Sequence, residues 1–176
     1  MNPSYAAWPD ARRIALVSDT HGHLDAAVLA ALASADLVVH AGDVGNAGVL
    51  DALGAVAPVA AVAGNNDAAA KWPPDEAAVL AALPEAIEIT LTGGSLVVVH
   101  GHQWPRAGQR HARLRARWPA ARAIVYGHSH RRVTDTEARP WVLNPGAAGR
   151  ARTHGGASWL ALTVGPRRWR VGDGGF

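Results

Sequence analysis

Short apolar runs recur along the chain, most of them stopped by Gly, Asp, Asn or His, and several are separated by stretches with helical spacing. Arg13 to Ser18 (RIALVS) reads as a buried strand. Asp25 to Ala33 reads as a helix with Asp25 as its N-cap, since a short carboxylate there can accept from the orphaned first-turn N–H groups. Leu37 to Ala41 predicts a second strand, Ala47 to Ala55 a second helix, and Val59 to Ala63 a third strand. Pro73-Pro74 opens a helix over Asp75 to Ala82, with proline in its tolerated first-turn position. Ile87 to Leu91 and Ser95 to Val99 flank Gly93-Gly94, which predicts a β-hairpin. A helix over Gln109 to Trp118 stops at Pro119, and Ala123 to Tyr126 is a further strand. Short strands follow near Val133–Glu137, Trp141–Leu143, Trp159–Val164 and Trp169–Val171. The first half looks parallel and the second more antiparallel. A mixed α/β sandwich fits that switch better than a purely doubly wound sheet.

The strand ends carry the chemistry. The first ends in Ser18-Asp19-Thr20-His21-Gly22-His23 and the second in His40-Ala41-Gly42-Asp43. The third ends in Gly64-Asn65-Asn66-Asp67, the hairpin in His100-Gly101-His102, and the strand at Ile124 in Gly127-His128-Ser129-His130. In α/β folds ligands bind at the carboxyl ends of strands, so five such loops can converge. In Asp19-x-His21 and His128-x-His130 the alternate residues of an extended backbone point the same way, and each pair can grip one site. Carboxylate and imidazole are ligands for Zn, Mn or Fe, and the Asn65 amide oxygen can join them. Each element alone is also an ordinary turn or a packed histidine. All five together, in order, are hard to obtain from packing.

Composition narrows the setting. A chain of 176 residues, 49% hydrophobic and 18% charged, can bury a full core, which excludes a disordered or coiled-coil protein. It predicts one domain over residues 1–176. Cysteine is absent, so thiolate metal sites and a cysteine nucleophile are excluded. The net charge of +3 and pI near 10.2 permit an anionic partner, nucleic acid included, without demanding one. The N-terminal stretch lacks the pattern of a signal peptide, and the longest near-apolar run, Leu53 to Gly64, is too short to span a bilayer. The expectation is a cytoplasmic protein without a membrane segment, for which homo-oligomers are allowed.

At these residues the sequence resembles the calcineurin-like metallophosphoesterases, in particular their small single-domain bacterial and archaeal phosphodiesterase branch. The family pattern is Asp-x-His, Gly-Asp, Gly-Asn-His-Asp/Glu, a lone His and Gly-His-x-His. Here it is carried by Asp19 and His21, Gly42-Asp43, Gly64-Asn65, His100, and Gly127-His128 with His130, within about Ile14 to Arg152. The resemblance implies an α/β sandwich of two facing sheets flanked by helices. It implies two divalent ions, with Mn expected first and Fe, Zn, Ni or Mg as alternatives. One ion would be held by Asp19, His21, Asp43 and His130, and the second by Asp43, Asn65, His100 and His128. Asp43, Asn66 and His100 would serve catalysis, in which a metal-bridging hydroxide attacks phosphorus in line. Asn66 and His102 would meet substrate.

The chain departs from the pattern at Asn66, where the family commonly has a histidine that contacts phosphate and can protonate the leaving group. Asparagine can donate a hydrogen bond but cannot act as a general acid. His23 and His102 are the nearest substitutes. The branch also tends to carry Asn-Pro-Gly-Ser and a later Pro-Arg, where this chain has Asn144-Pro145-Gly146-Ala147 and Ala151-Arg152. The expected activity is phosphodiester hydrolysis of a small phosphate ester. The alternatives are a phosphomonoesterase on a nucleotide or small metabolite, or a binding scaffold on the same fold, as in the retromer subunit of eukaryotes. Arg106, Arg110, Arg113 and Arg117 recur at helical spacing and read as a solvated helix face.

Overall fold

The structure, a computed structural model, describes residues 2–173 and 175–176. Its elements run β1 (Ser4–Ala7), β2 (Arg13–Val17), α1 (Ala26–Ala31), β3 (Leu37–His40), α2 (Ala47–Gly54) and β4 (Val59–Ala61). After a 3-10 turn at Pro74–Glu76 come α3 (Ala77–Ala82), β5 (Ala86–Leu91), β6 (Gly94–Val99) and α4 (Ala107–Arg117). The chain closes with β7 (Ala123–Tyr126), β8 (Arg132–Asp135), β9 (Trp141–Pro145), β10 (Leu160–Val164) and β11 (Trp169–Gly172). Two mixed sheets form, one ordered β1-β5-β6-β7-β9-β8 and the other β11-β10-β2-β3-β4.

Alternation along the strands sorts their side chains into layers. Ile14 and Leu16 of β2 meet Leu96 and Val98 of β6 and Val125 of β7 in the core between the sheets. Ala15 and Val17 turn the other way, onto Val28 and Leu32 of the α1 region and Val49 and Leu53 of α2. Val97, Val99, Ile124 and Tyr126 pack outward on Leu114 and Trp118 at α4. Both faces of the central strands are therefore covered, which is why they are continuously apolar. Six residues are too few for α1 to persist alone. Burying Val28 and Leu32 contributes about 2 kcal/mol each, and the Asp25 carboxylate caps the helix from Ala27 N–H at 2.9 Å.

The hairpin, the Asp25 cap and the elements from β2 to β4 match the sequence reading. Four features differ. Strand β1 pairs in parallel with β5 at the sheet edge; its mostly exposed side chains, Tyr5 at 78%, carry no burial pattern to read. The second half is mostly antiparallel, as expected, but β6–β7 and β7–β9 are parallel; α4 crosses over from β6 and returns the chain to β7 in the same direction. The helix after Pro73 divides into the 3-10 turn and α3, and the Glu76 carboxylate turns aside to accept Ala47 N–H at the start of α2. Arg110 is not on a solvated face: it is buried, with Nε donating to Trp104 O at 2.8 Å and its guanidinium 5.4 Å from the Tyr126 ring centre.

Strands β8 and β11 are open sheet edges, and the groove of about 490 Å³ beside them is lined by Arg122, Arg139, Arg167, Arg168 and Arg170. Charged side chains there oppose edge-to-edge pairing of copies. Among the described residues no helix is long and apolar enough to cross a membrane.

Candidate metal centre

Strands β2, β3 and β4 are parallel neighbours, as are β6 and β7, so their carboxyl ends bring five loops to one end of the sandwich. These loops are strained where they carry donors. Among the described residues, six non-glycine residues have positive φ: Asp19, His21, Asp43, His128, His130 and Arg152. Five of them are predicted ligands. Side chains other than glycine, Asn and Asp rarely adopt this conformation, and it persists only where the surroundings over-determine it. Close approach also demands glycine. A Cβ on Gly64 would lie 2.2 Å from Asp43 Oδ1, so only a bare backbone lets the β4 loop reach that carboxylate.

The donors fall into two groups that share Asp43. Donor atoms of Asp19, His21, Asp43 and His130 lie within 4.8 Å of one another. His130 Nε2 is 3.4 Å from Asp19 Oδ1, and His21 Nε2 is 3.7 Å from Asp43 Oδ2. In the second group Asn65 Oδ1 lies 3.1 Å from His100 Nε2 and 3.0 Å from His128 Nδ1. His100 Nε2 is in turn 3.3 Å from Asp43 Oδ2. One carboxylate oxygen thus faces both groups.

Further contacts aim these donors. His100 Nδ1 lies 2.9 Å from Ala41 O and His130 Nδ1 2.8 Å from Ala151 O. A carbonyl only accepts, so each ring carries its proton on Nδ1 and, when neutral, turns the Nε2 lone pair inward, as metal-binding histidines do. Asp19 Oδ1 accepts His128 N–H at 3.1 Å, and its Oδ2 is 2.7 Å from Ser18 Oγ. Asp67 holds the β4 loop: its carboxylate accepts from the N–H groups of Val44, Gly45 and Gly64 and from Trp72 Nε1 at 2.7–3.1 Å.

Burial pushes the Asp19 carboxyl up to about 7. It acts the same way on Asp43, but the hydrogen bond and charge of His100 and the hydrogen bonds from Asn66 outweigh it and hold that carboxyl well below the usual carboxylate range. Burial opposes a charge on His100 too, yet the hydrogen bond and charge of Asp43 prevail and raise it. Burial lowers His21 and His130 and takes His128 down to about 4. A buried carboxylate pair ringed by imidazoles, with the Nε2 atoms of His21 and His130 facing each other at 3.2 Å, is a donor set that fits divalent cations.

The structure brings together all seven predicted ligands, Asp19, His21, Asp43, Asn65, His100, His128 and His130. His102 stands beside the second group, its ring 5.5 Å from His100 and 6.3 Å from His128, with a buried, unpartnered Nδ1. Asn66 binds Asp43 twice, through its backbone N–H to Oδ1 at 2.8 Å and through Nδ2 to Oδ2 at 2.7 Å. His23 joins none of the ring contacts found among the described residues. His40, at the end of β3, stays outside the cluster: it accepts Gly42 N–H at Nδ1 and faces Thr20 Oγ1 with Nε2, and burial keeps it neutral with a pKa of about 4. Sequence reasoning missed Asp67 and Lys71. The first is hidden in a turn sequence; the second is marked only by being the sole lysine.

This fold and cluster define a metallophosphoesterase-type protein, and the family model of the calcineurin-like phosphoesterase superfamily domain matches residues 13–166. The chain belongs to that superfamily. A protein of Methanocaldococcus jannaschii described as a probable metallophosphoesterase is 29% identical over 140 residues, 76% of this chain and 67% of that protein. Zinc-complexed Vps29 of Entamoeba histolytica has the same fold, with a TM-score of 0.71 at 17% identity over 92% of this chain and 98% of its own. An archaeal phosphodiesterase superposes with a TM-score of 0.65 at 22% identity, covering 92% of this chain and 99% of that one.

Proposed function

We propose that the protein is a binuclear metal-dependent phosphodiesterase. The observation that carries this reading is the position of Asp43 Oδ2, 3.7 Å from a nitrogen of one donor group and 3.3 Å from a nitrogen of the other. A carboxylate so placed can serve two cations at once. Asp19, His21 and His130 would complete one site, and Asn65, His100 and His128 the other. Two divalent ions, manganese first among them, would supply the Lewis acidity that activates water and neutralises phosphoryl charge. Asp43 holds the two sites at a common spacing. The Nδ1 contacts of His100 and His130 keep their Nε2 atoms aimed inward. Asn66, clamped on Asp43, orients the ester, and His102 lines the second-site side of the opening. Similarity in fold to an archaeal phosphodiesterase supports the diester over the monoester.

The test is metal analysis of the purified protein together with hydrolysis of bis-p-nitrophenyl phosphate and p-nitrophenyl phosphate. Two ions per chain and faster release from the diester are expected. Two ions with neither ester cleaved would instead point to a binding scaffold.

A further inference from the structure

We infer that Lys71 and Arg152 form a two-cation clamp that receives the phosphoryl oxygens of the substrate over the metal cluster. This rests on the phosphoesterase reading of the site. Arg152 Nη2 lies 3.2 Å from His130 Nε2. Because His130 Nδ1 faces Ala151 O, the Nε2 that Arg152 meets is a lone pair. A cation bound at that lone pair leaves the guanidinium with its donors beside the cluster and this acceptor gone. No carboxylate lies within 4.0 Å of Arg152 among the described residues, so an arriving anion has no internal rival. Its backbone sits at φ 51°, in the region otherwise occupied, among the described non-glycine residues, only by predicted ligands.

Lys71 approaches from the β4 loop. Its Nζ donates to Asn66 Oδ1, and Asn66 Nδ2 donates to Asp43 Oδ2. The lysine follows a turn closed by Lys71 N–H to Ala68 O at 2.8 Å, and its neighbour Trp72 is buried and tied to Asp67. The backbone is thus fixed while the exposed side chain stays free to reach. No carboxylate within 4.0 Å neutralises it among the described residues. It is also the only lysine in a chain with 17 Lys and Arg residues. An ammonium is a compact, mobile point charge, whereas a guanidinium is a rigid fork suited to two oxygens.

The two cations touch Asp43, through Asn66, and His130, whose donor atoms lie within 4.8 Å of each other. A single phosphoryl group seated over Asp43 and His130 is the ligand that would meet both. Arg152 suits two non-bridging oxygens, and Lys71 supplies beside Asn66 the positive charge that a neutral amide lacks.

The experiment compares wild type with Lys71→Met, Arg152→Met and Lys71→Arg, all loaded with Mn²⁺. Calorimetry with inorganic phosphate gives affinity, and steady-state hydrolysis of bis-p-nitrophenyl phosphate separates KM from kcat. Each methionine variant is expected to weaken phosphate binding and raise KM about tenfold, the usual scale for losing one charged hydrogen bond. Metal content and Tm should stay at wild-type values, and Lys71→Arg should recover most of the loss. Phosphate affinity within twofold of wild type in both methionine variants would overturn the clamp, as would a metal-loaded wild type that binds no phosphate. Wild type that binds phosphate but cleaves no ester would remove the phosphoesterase reading alone, since the binding comparison still decides the clamp.

Discussion

The Nε2 atoms of His21 and His130 face each other across 3.2 Å. The His130 nitrogen is a lone pair, because its Nδ1 is committed to Ala151 O. Without a cation, only a proton on His21 Nε2 can hold this pair together. A metal ion would replace that proton with a shared positive centre. Added Mn²⁺ should therefore stabilise the fold, by about 2.7 kcal/mol at a hundredfold excess over Kd. For a chain of this size that is roughly 5–10 °C in Tm. Thermal melts with and without chelator check this; superimposable curves would refute a metal at the pair.

The two donor groups differ in charge. The first has the carboxylates of Asp19 and Asp43, while the second shares Asp43 and otherwise offers an amide and two imidazoles. A hard dication should bind the first group more tightly. Titration of chelator-treated protein with Mn²⁺ should resolve two unequal steps, and Asp19→Asn should weaken the tighter one. Equal steps in wild type would contradict the charge argument.

Asp43 Oδ2 faces both donor groups, so on the two-ion reading Asp43→Ala should lose both ions rather than one. Activity should fall by about a thousandfold or more, since the Lewis acid is worth several kcal/mol of transition-state charge. Elemental analysis of the variant, with circular dichroism to confirm folding, reads the outcome. Full retention of two ions would show that Asp43 does not bridge.

Asn66 can bind phosphate but cannot protonate a departing alkoxide. Across a series of phosphodiesters, wild type should lose rate steeply as the leaving-group pKa rises. Asn66→His should flatten that slope, because a positioned acid contributes about 10²–10⁴-fold for poor leaving groups. The slope of log kcat/KM against leaving-group pKa measures it. If instead His102→Ala steepens a shallow wild-type slope, His102 is the acid.

Far from the cluster, Asp36 clips the start of β3 to the start of β2. It accepts the backbone N–H of Arg12 and Arg13 at 2.9 and 2.8 Å and pairs with the Arg13 guanidinium at 2.7 Å. The hydrogen bond from Arg13 leads in lowering its carboxyl to about 2. A folded pKa below the unfolded value of about 3.9 means stability that is present above pH 4 and lost as pH falls toward 2. Asp36→Asn should be less stable at neutral pH and should converge with wild type below about pH 2. Urea melts from pH 2 to 7 provide the comparison.

The strands that carry the site were legible because their residues are buried on both faces, as in RIALVS, and because the donors follow them in chain order. Asp25 was legible as a cap because its role is local. Strand β1 was not, since of its four side chains only Ala6 is partly buried against the core, which leaves no apolar alternation. The parallel return from β6 to β7 depends on where α4 packs, which spacing does not encode. Arg110 shows the same limit: helical spacing placed it beside Arg113, but the Trp104 carbonyl and Tyr126 ring draw it inward. In the site, the convergence of the seven donor residues could be read, whereas the contact of Lys71 with Asn66 could not, because its reach depends on the turn that Asp67 and Trp72 close.

The donors enter the chain in a fixed order. Asp19, His21, Asp43 and Asn65 precede the β5–β6 hairpin, while His100, His128 and His130 follow it. During synthesis a chain that has emerged only as far as Leu91 holds both carboxylates but one of four imidazoles. Folding from the N-terminal side can build β2, β3 and β4 at that stage, yet the full donor set for either proposed ion is assembled only when the second sheet has formed and docked. On the proposed two-ion reading, metal uptake would be a late event in the life of each molecule, and metal occupancy would report that the two sheets have come together.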